Sequence, residues 1–343
     1  MPSTSLTGET TECGWHITEK ISQKSSTGGN FCTQYIVINE DGRKAFLKAM
    51  DLKSVMQKDL QDIQGLIGEY LFERNILYLC KEENMTKIVT PLSSGEITSK
   101  KYSPPLNRVF FIVFELADSD FRTRYIEREG TNWIDFFRSV KHVCIAAEQL
   151  HRAGIAHQDI KPSNVLNFYE DNTTKVADLG RVIDENGMSP FNNFEYAGDM
   201  TYAPIEIRHR HVVDEFSFRI LSDMHSIGSL IYHKIMGVGI SVATINESTY
   251  ISPDVLSSDY TSSVEIHASG FAKLLRRFKM QSEECLGFDI AQELENIVSE
   301  MCHPDINLRC SNSRKFIPPK VLARRYAGKL NTVIRLCKVQ GVS

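Results

Sequence analysis

An α+β fold of two unequal lobes is what the sequence predicts, a strand-rich N-lobe with one helix followed by a mainly helical C-lobe. Three observations predict it. Short runs with strand character dominate the chain up to Glu115, long runs with helical spacing dominate it afterwards, and the two kinds do not alternate as βαβ units would. The 343 residues, 42% of them apolar and 24% charged, are enough chain for one large domain or two modest ones.

Taken in order, residues 1–14 (MPSTSLTGETTECG) hold few large apolar side chains to offset the entropy of ordering, which predicts a frayed N-terminal tail. The N-lobe, 15–116, opens with the strand-like runs WHITEKIS, FCTQYIVIN and KAFLKAMDL, the last two joined by the turn Glu40-Asp41-Gly42-Arg43. Its one helix runs over Leu60 to Cys80, where Ile63, Leu66, Ile67, Leu71, Ile76 and Leu79 return every three or four positions. Two more strands, IVTPLSSGEI and RVFFIVFEL, flank the proline-containing loop SKKYSPPLN. The C-lobe, 117–313, carries helices over Trp133 to Ala153, Ile220 to Gly237 and Gln292 to Met301. A basic helical extension, 314–343, closes the chain. After Asp305 there are nine basic residues and no acidic one, with Val321, Leu322, Tyr326, Leu330, Val333, Ile334 and Cys337 at helical spacing. Such a helix either packs on the acidic body of its own chain or docks an acidic partner or nucleic acid.

Composition removes whole classes of function. The 39 basic and 43 acidic residues leave a net charge of −4, so no chain-wide field favours nucleic acid or a membrane surface. The eight cysteines form no CxxC pair and the N-terminus lacks a basic segment followed by an apolar stretch, which predicts reduced thiols in a cytoplasmic protein. The most apolar windows, Val109 to Phe114 and Leu230 to Ile245, are too short or carry His233 and Lys234, so no membrane span is expected.

Chemistry concentrates in His157-Gln158-Asp159-Ile160-Lys161-Pro162-Ser163-Asn164, followed fourteen residues later by Asp178-Leu179-Gly180. These segments match the pattern H-R-D-x-x-x-x-N and, read as DLG, the pattern D-F-G. From Trp15 to Arg309 the chain resembles a eukaryotic-like (Hanks-type) serine/threonine protein kinase, most of all the soluble bacterial members that read HQD. The resemblance implies a bilobal kinase fold and γ-phosphoryl transfer from ATP, with Asp159 orienting the acceptor hydroxyl and taking its proton. It places Lys161 against the γ-phosphate and makes Asn164 and Asp178 ligands of Mg²⁺, a cation that prefers oxygen donors. Lysine two residues after the catalytic Asp is the Ser/Thr-directed form. Lys48, in Ala45-Phe46-Leu47-Lys48, takes the place of the lysine on the α- and β-phosphates, and a buried lysine there needs a carboxylate, Glu73 or Glu69. Glu73 is preferred, because Ile76 and Leu77 then follow at the apolar positions of that helix. Glu115 and Ala117 fall at the hinge positions that contact the nucleotide.

Further likenesses lie downstream. The stretch from Gly198 to Glu206, with Pro204-Ile205-Glu206 in place of A-P-E, resembles the end of an activation segment, Asp223 resembles the helix Asp that braces the catalytic loop, and Arg309 resembles the arginine that pairs with Glu206. These features point to a polypeptide acceptor. The departures are as informative. Of the glycine-rich loop only Gly28 and Gly29 remain as candidate phosphate contacts, between Thr27 and Cys32. Phe46 stands where the family has a small alanine beside adenine, and Phe114 is a large gatekeeper. Gln158 replaces the arginine that pairs with an activation-loop phosphate, which predicts activity without a phosphate on Ser189, Tyr196 or Thr201. Asp199 replaces a threonine and could accept from Lys161. His209 and His211, or Cys302 and His303 with Cys310, do not complete a four-ligand zinc pattern.

The expected reaction is Mg²⁺-dependent phosphorylation of Ser or Thr in protein substrates, the chain itself included. Two alternatives are a pseudokinase binding module, suggested by Phe46 and the eroded glycine loop, and a kinase of a small molecule or nucleic acid, suggested by the basic tail.

Overall fold

The computed structural model describes residues 2–21, 32–51, 60–103, 107–211, 213 and 215–342. The chain divides into two compact units, Met1–Asp118 and Ser119–Ser343.

The first unit is built on a five-stranded antiparallel sheet. Its strands are β1 (His16–Lys20), β2 (Cys32–Ile38), β3 (Lys44–Asp51), β4 (Pro91–Thr98) and β5 (Arg108–Glu115), and α1 (Leu60–Glu82) lies between β3 and β4 in sequence. The spatial order is β1-β2-β3-β5-β4. The β2–β3 hairpin turns on Gly42, whose φ of 77° suits a residue without a Cβ, while the Asn39 side chain accepts from the Arg43 amide. Alternation divides each strand between two faces. Tyr35, Val37, Ala45, Leu47, Ala49, Val109, Phe111 and Val113 supply one buried face, and Phe46 and Lys48 lie on the other, half-buried one.

The N-terminal residues overturn the expectation of a frayed tail. Leu6, fully buried, and Trp15 join the apolar cluster on the sheet, and the Tyr35 hydroxyl donates to the Ser3 carbonyl. Ser3 and Thr33 bridge through their hydroxyls at 3.0 Å. The cause is the sheet, not the tail: a face of seven or eight apolar side chains needs a cover, and two well-placed large residues among small ones are enough to provide it.

The second unit is mainly helical. Short strands β6 (Ser119–Asp120), β7 (Ile155–Ala156), β8 (Val165–Phe168), β9 (Thr173–Val176) and β10 (Ile183–Asp184) carry the loops described below. The principal helices are α2 (Trp133–Arg152), α3 (Ile205–Arg208), α4 (Phe216–Met236), α5 (Ile240–Ile251), α6 (Tyr260–Leu286), α7 (Phe288–Met301), α8 (Ser311–Arg314) and α9 (Leu322–Gln340). Asn132 caps α2 by accepting from the Asp135 amide, and α4 stops at Gly237 in the left-handed conformation. The sequence reading names neither α5 nor α6. The buried face of α6 explains this, since it contains Ser263, His267 and Gly270 beside Phe271, Leu274 and Phe278, which weakens the apolar period.

The basic extension is part of this unit. Helix α9 runs antiparallel to α2, buries Leu322, Tyr326, Leu330, Val333 and Cys337, and sets Lys141 on Asn331 at 3.1 Å and Arg324 on Glu148 at 3.6 Å. Tyr326 donates to Glu300 at 2.8 Å, and Lys329 reaches the same carboxylate at 3.0 Å. Arg324, Arg325, Arg335 and Lys338 form its exposed face.

All eight cysteines are free thiols. Burial pushes those of Cys80 and Cys144 up to about 12 and those of Cys310 and Cys337 up to about 11, so they are inert core groups. Cys13 and Cys285 are exposed. Among the described residues no single helix is long and apolar enough to cross a membrane.

Candidate active site

In the first unit the functional pair is Lys48 and Glu73. Strand alternation turns Lys48 away from the apolar cluster, and its Nζ donates to both carboxylate oxygens of Glu73 on α1, at 2.8 and 3.0 Å. The Glu73 carboxylate is only 4% exposed, so this cation compensates a charge that could not stay buried alone. Phe46 shares the face of Lys48, and cross-strand pairing sets its ring 6.2 Å from that of Phe114. At the end of β5 the Glu115 side chain accepts from the Thr90 amide at 2.6 Å. Ala117 follows with neither its amide nor its carbonyl hydrogen-bonded among the described residues, which leaves both edges for a ligand. Gly28 and Gly29 lie outside the described residues.

In the second unit Asp159 is the centre of a dense polar group. Its Oδ1 accepts from the Asp199 amide at 2.8 Å, and its Oδ2 accepts from Asn164 Nδ2 and Lys161 Nζ, each at 3.0 Å. Asn164 also donates to the Asp159 carbonyl at 2.9 Å, so one amide group fixes both the backbone and the side chain of the aspartate. Lys161 lies 3.8 Å from Asp199, the carboxylate expected to accept from it. Burial alone would raise the Asp199 carboxyl, but the amide and hydroxyl of Thr201 and the Lys161 ammonium outweigh it and hold it below its ordinary value.

Asp223 on α4 holds the loop from behind. Its carboxylate accepts from the His157 amide and the Gln158 amide, each at 2.8 Å, and from His151 Nε2 at 2.8 Å. These bonds stabilise Gln158 at a φ of 63°, a conformation costly for a residue with a side chain. His157 has its tautomer set by its neighbours: Nδ1 accepts from the Asp159 amide and Nε2 donates to the Ala177 carbonyl at 3.0 Å. The Ala177 amide in turn donates to the Asn164 carbonyl at 2.8 Å, which ties the loop to Asp178, itself at a φ of 63°.

Farther along, Glu206 and Arg309 meet as the sequence suggests, and Ser189, Tyr196 and Thr201 have different fates. Ser189 is buried, its hydroxyl donating to the Val182 carbonyl at 2.6 Å. Tyr196 is half-buried, and its phenol is raised well above its ordinary value, chiefly by burial and then by Asp159. Thr201 is exposed. Sequence reasoning missed His151, Arg181 and Arg219. For Arg219 a signal existed, since it precedes Asp223 by four residues and therefore shares its helix face.

An oriented carboxylate beside a lysine and two oxygen-bearing side chains suits general-base chemistry near an anion. Among the described residues no group of three or more His, Cys, Asp or Glu is placed to hold a metal ion by itself. Asn164 keeps its amide oxygen without a partner among the described residues, and with the Asp178 carboxylate it makes the sparse oxygen set that fits Mg²⁺ shared with phosphate and water.

Comparison with known proteins agrees with this geometry. The family profile described as protein kinase domain matches residues 24–326. The chain is 27% identical over 165 residues to a probable myosin light chain kinase of Dictyostelium discoideum, covering 47% of each. It is 26% identical over 186 residues to a probable serine/threonine-protein kinase of Bifidobacterium longum, covering 53% of this chain and 26% of the relative. It is 27% identical over 223 residues to a probable cell division protein kinase of Encephalitozoon cuniculi, covering 64% and 62%. The matches thus span between a quarter and under two thirds of these relatives' lengths.

Proposed function

The chain belongs to the protein kinase domain family, and from that premise we propose that it phosphorylates Ser or Thr hydroxyls of protein substrates with ATP, its own hydroxyls included. The observation that carries the reading is the state of Asp159. Three donors, the Asp199 amide, Asn164 and Lys161, fix its carboxylate, so it can orient an acceptor hydroxyl and take its proton without reorganising. Lys161 stands ready to neutralise charge on the transferred group, and its place two residues after Asp159 supports Ser/Thr over Tyr. Lys48, held by Glu73, supplies the cation for the α- and β-phosphates, and the bare backbone edges of Ala117 suit adenine. Asn164 and Asp178 would hold Mg²⁺, which neutralises phosphate charge when bound.

Two further proposals accompany this one. The free thiols accord with a reducing, cytoplasmic setting. The exposed face of α9, with Arg325, Arg335 and Lys338 making no ion pair among the described residues, accords with an acidic protein partner more than with nucleic acid, since the chain as a whole is acidic. The competing reading is a nucleotide-free binding module, favoured by the Phe46–Phe114 ring pair on the face of Lys48.

The test is incubation of the purified chain with labelled ATP and Mg²⁺ beside Asp159→Ala, with phosphorylated residues mapped by mass spectrometry. Phosphoserine or phosphothreonine formed by the wild type alone is the expected result. Equal labelling by both proteins, or wild type that neither labels nor binds ATP, removes the proposal.

A further inference from the structure

Residues 194–199 connect to the rest of the second unit mostly through their main chain. The Arg219 guanidinium, on buried α4, donates to the Glu195 carbonyl at 2.9 Å and the Phe194 carbonyl at 3.3 Å. Arg181, immediately after Asp178-Leu179-Gly180, donates to the Ala197 carbonyl at 2.8 Å. One residue later Gly198 presses on the catalytic loop so closely that a Cβ there would lie 2.1 Å from the Gln158 carbonyl oxygen. Asp199 then gives its amide to Asp159. Four successive main-chain contacts therefore lead from two arginines to the catalytic carboxylate, and none of them uses a side chain of the segment.

Gln158 completes the arrangement. Its Nε2 donates to the Arg219 carbonyl at 2.9 Å and lies 3.2 Å from Asp223 Oδ1. Both neighbours are acceptors, so the side-chain amide can only point its nitrogen at them. The residue before the catalytic Asp is thus turned inward to the helix that bears Arg219, and it makes no demand for an anion on the segment.

We propose that Arg219 and Arg181 are positioning residues that clamp residues 194–199 by their carbonyls and so hold Asp199 against Asp159 without any phosphate on the segment. The clamp rests on the kinase reading for its purpose but not for its geometry. It has a corollary for modification. Ser189 is buried and its hydroxyl is engaged, whereas the exposed Thr201 already gives its amide to the Asp199 carboxylate at 2.8 Å. A phosphate on Thr201 would repel Asp199 and loosen the segment, so phosphorylation there opposes activity.

The test uses the full chain in four forms: wild type, wild type treated with phosphatase until its mass shows no phosphate, Arg219→Gln and Arg181→Ala. Hydrogen exchange of the amides of 195–201 and the rate of protein phosphorylation are both read. Phosphatase treatment should leave both unchanged. Each substitution should speed exchange at Asp199 by roughly ten- to a hundredfold, the scale of losing a charge-assisted hydrogen bond, and lower kcat at least tenfold with the KM for ATP unchanged. Arg219→Lys should recover part of the loss. Because Arg181 is exposed, its variant carries the test if Arg219→Gln does not fold. Wild-type exchange in Arg181→Ala, or exchange and activity that collapse on phosphatase treatment, overturns the clamp. If no form transfers phosphate while exchange responds as stated, the clamp stands and the kinase reading falls.

Discussion

Glu206 and Arg309 are 103 positions apart in sequence and meet through two parallel hydrogen bonds of 2.6 and 2.7 Å, both side chains fully or almost fully withdrawn from water. Two of the guanidinium's three remaining N–H donors go to the carbonyls of His303 and Leu221. It therefore joins the end of the activation segment, α4 and the loop after α7 at one point. Removing one partner strands the other as a buried charge, which costs about 3–5 kcal/mol. Glu206→Gln should lower the Tm by roughly 6–20 °C for a unit of this size. A double variant, Glu206→Leu with Arg309→Met, should be more stable than either single change, and scanning calorimetry on the three proteins checks the order.

Lys48 and Glu73 are predicted to act as a unit in nucleotide binding. On the proposed function Lys48→Ala would remove a charge-assisted contact to phosphate and leave the Glu73 carboxylate to repel it, so ATP affinity should fall roughly ten- to a hundredfold. Glu73→Gln should give a smaller loss, and the double variant less than the sum. Titration calorimetry with ATP and Mg²⁺ measures each. Unchanged affinity in Lys48→Ala would remove this lysine from the site.

The covering role of the N-terminal residues predicts that Leu6→Ala costs about 2–5 kcal/mol. Urea denaturation followed by a signal from the first unit is the measurement, and a change below about 0.5 kcal/mol would show that the sheet face does not depend on Leu6.

A pH dependence follows from His267, which is fully buried, hydrogen-bonded to His209 at 2.8 Å and to Ser248 at 2.9 Å, and pushed down to about 4, by burial first and His209 second. In the fold it is neutral above that value. Between about 6.5 and 4 the unfolded chain binds a proton that the folded chain refuses, so stability falls with pH across this window and levels below it. The decline in Tm between pH 7 and pH 4 should be shallower in His267→Gln, and an identical slope in both proteins rules out this histidine as the cause.

Much of this architecture was open to sequence reasoning, for identifiable reasons. The resemblance to protein kinases rests on residue types at fixed spacings, so Asp159, Lys161, Asn164 and Asp178 stand out as candidates without tertiary information. Period-two alternation was enough to set Phe46 beside Lys48. The family resemblance, which sets Ile76 and Leu77 three and four residues after the glutamate, was enough to prefer Glu73 over Glu69, and Lys48 does pair with Glu73. What escaped depends on contacts that no local pattern encodes. The tail was read by its own composition, but its order comes from the sheet face it covers. Helix α6 buries serine, histidine and glycine, which an apolar count passes over. Arg181 and Arg219 bind main-chain carbonyls, and a carbonyl carries no signature in a sequence.

The uneven burial of the thiols has a practical use. Five cysteines lie in the core and Cys32 is half-buried, which leaves Cys13 in the first unit and Cys285 in the second open to solvent. A thiol-reactive dye at low stoichiometry should therefore label one point on each unit, with Cys32→Ser as the background that removes the third. With that single substitution the chain offers one labelling point on each unit, and energy transfer between a donor and an acceptor dye placed there would report, molecule by molecule, whether added nucleotide changes their separation.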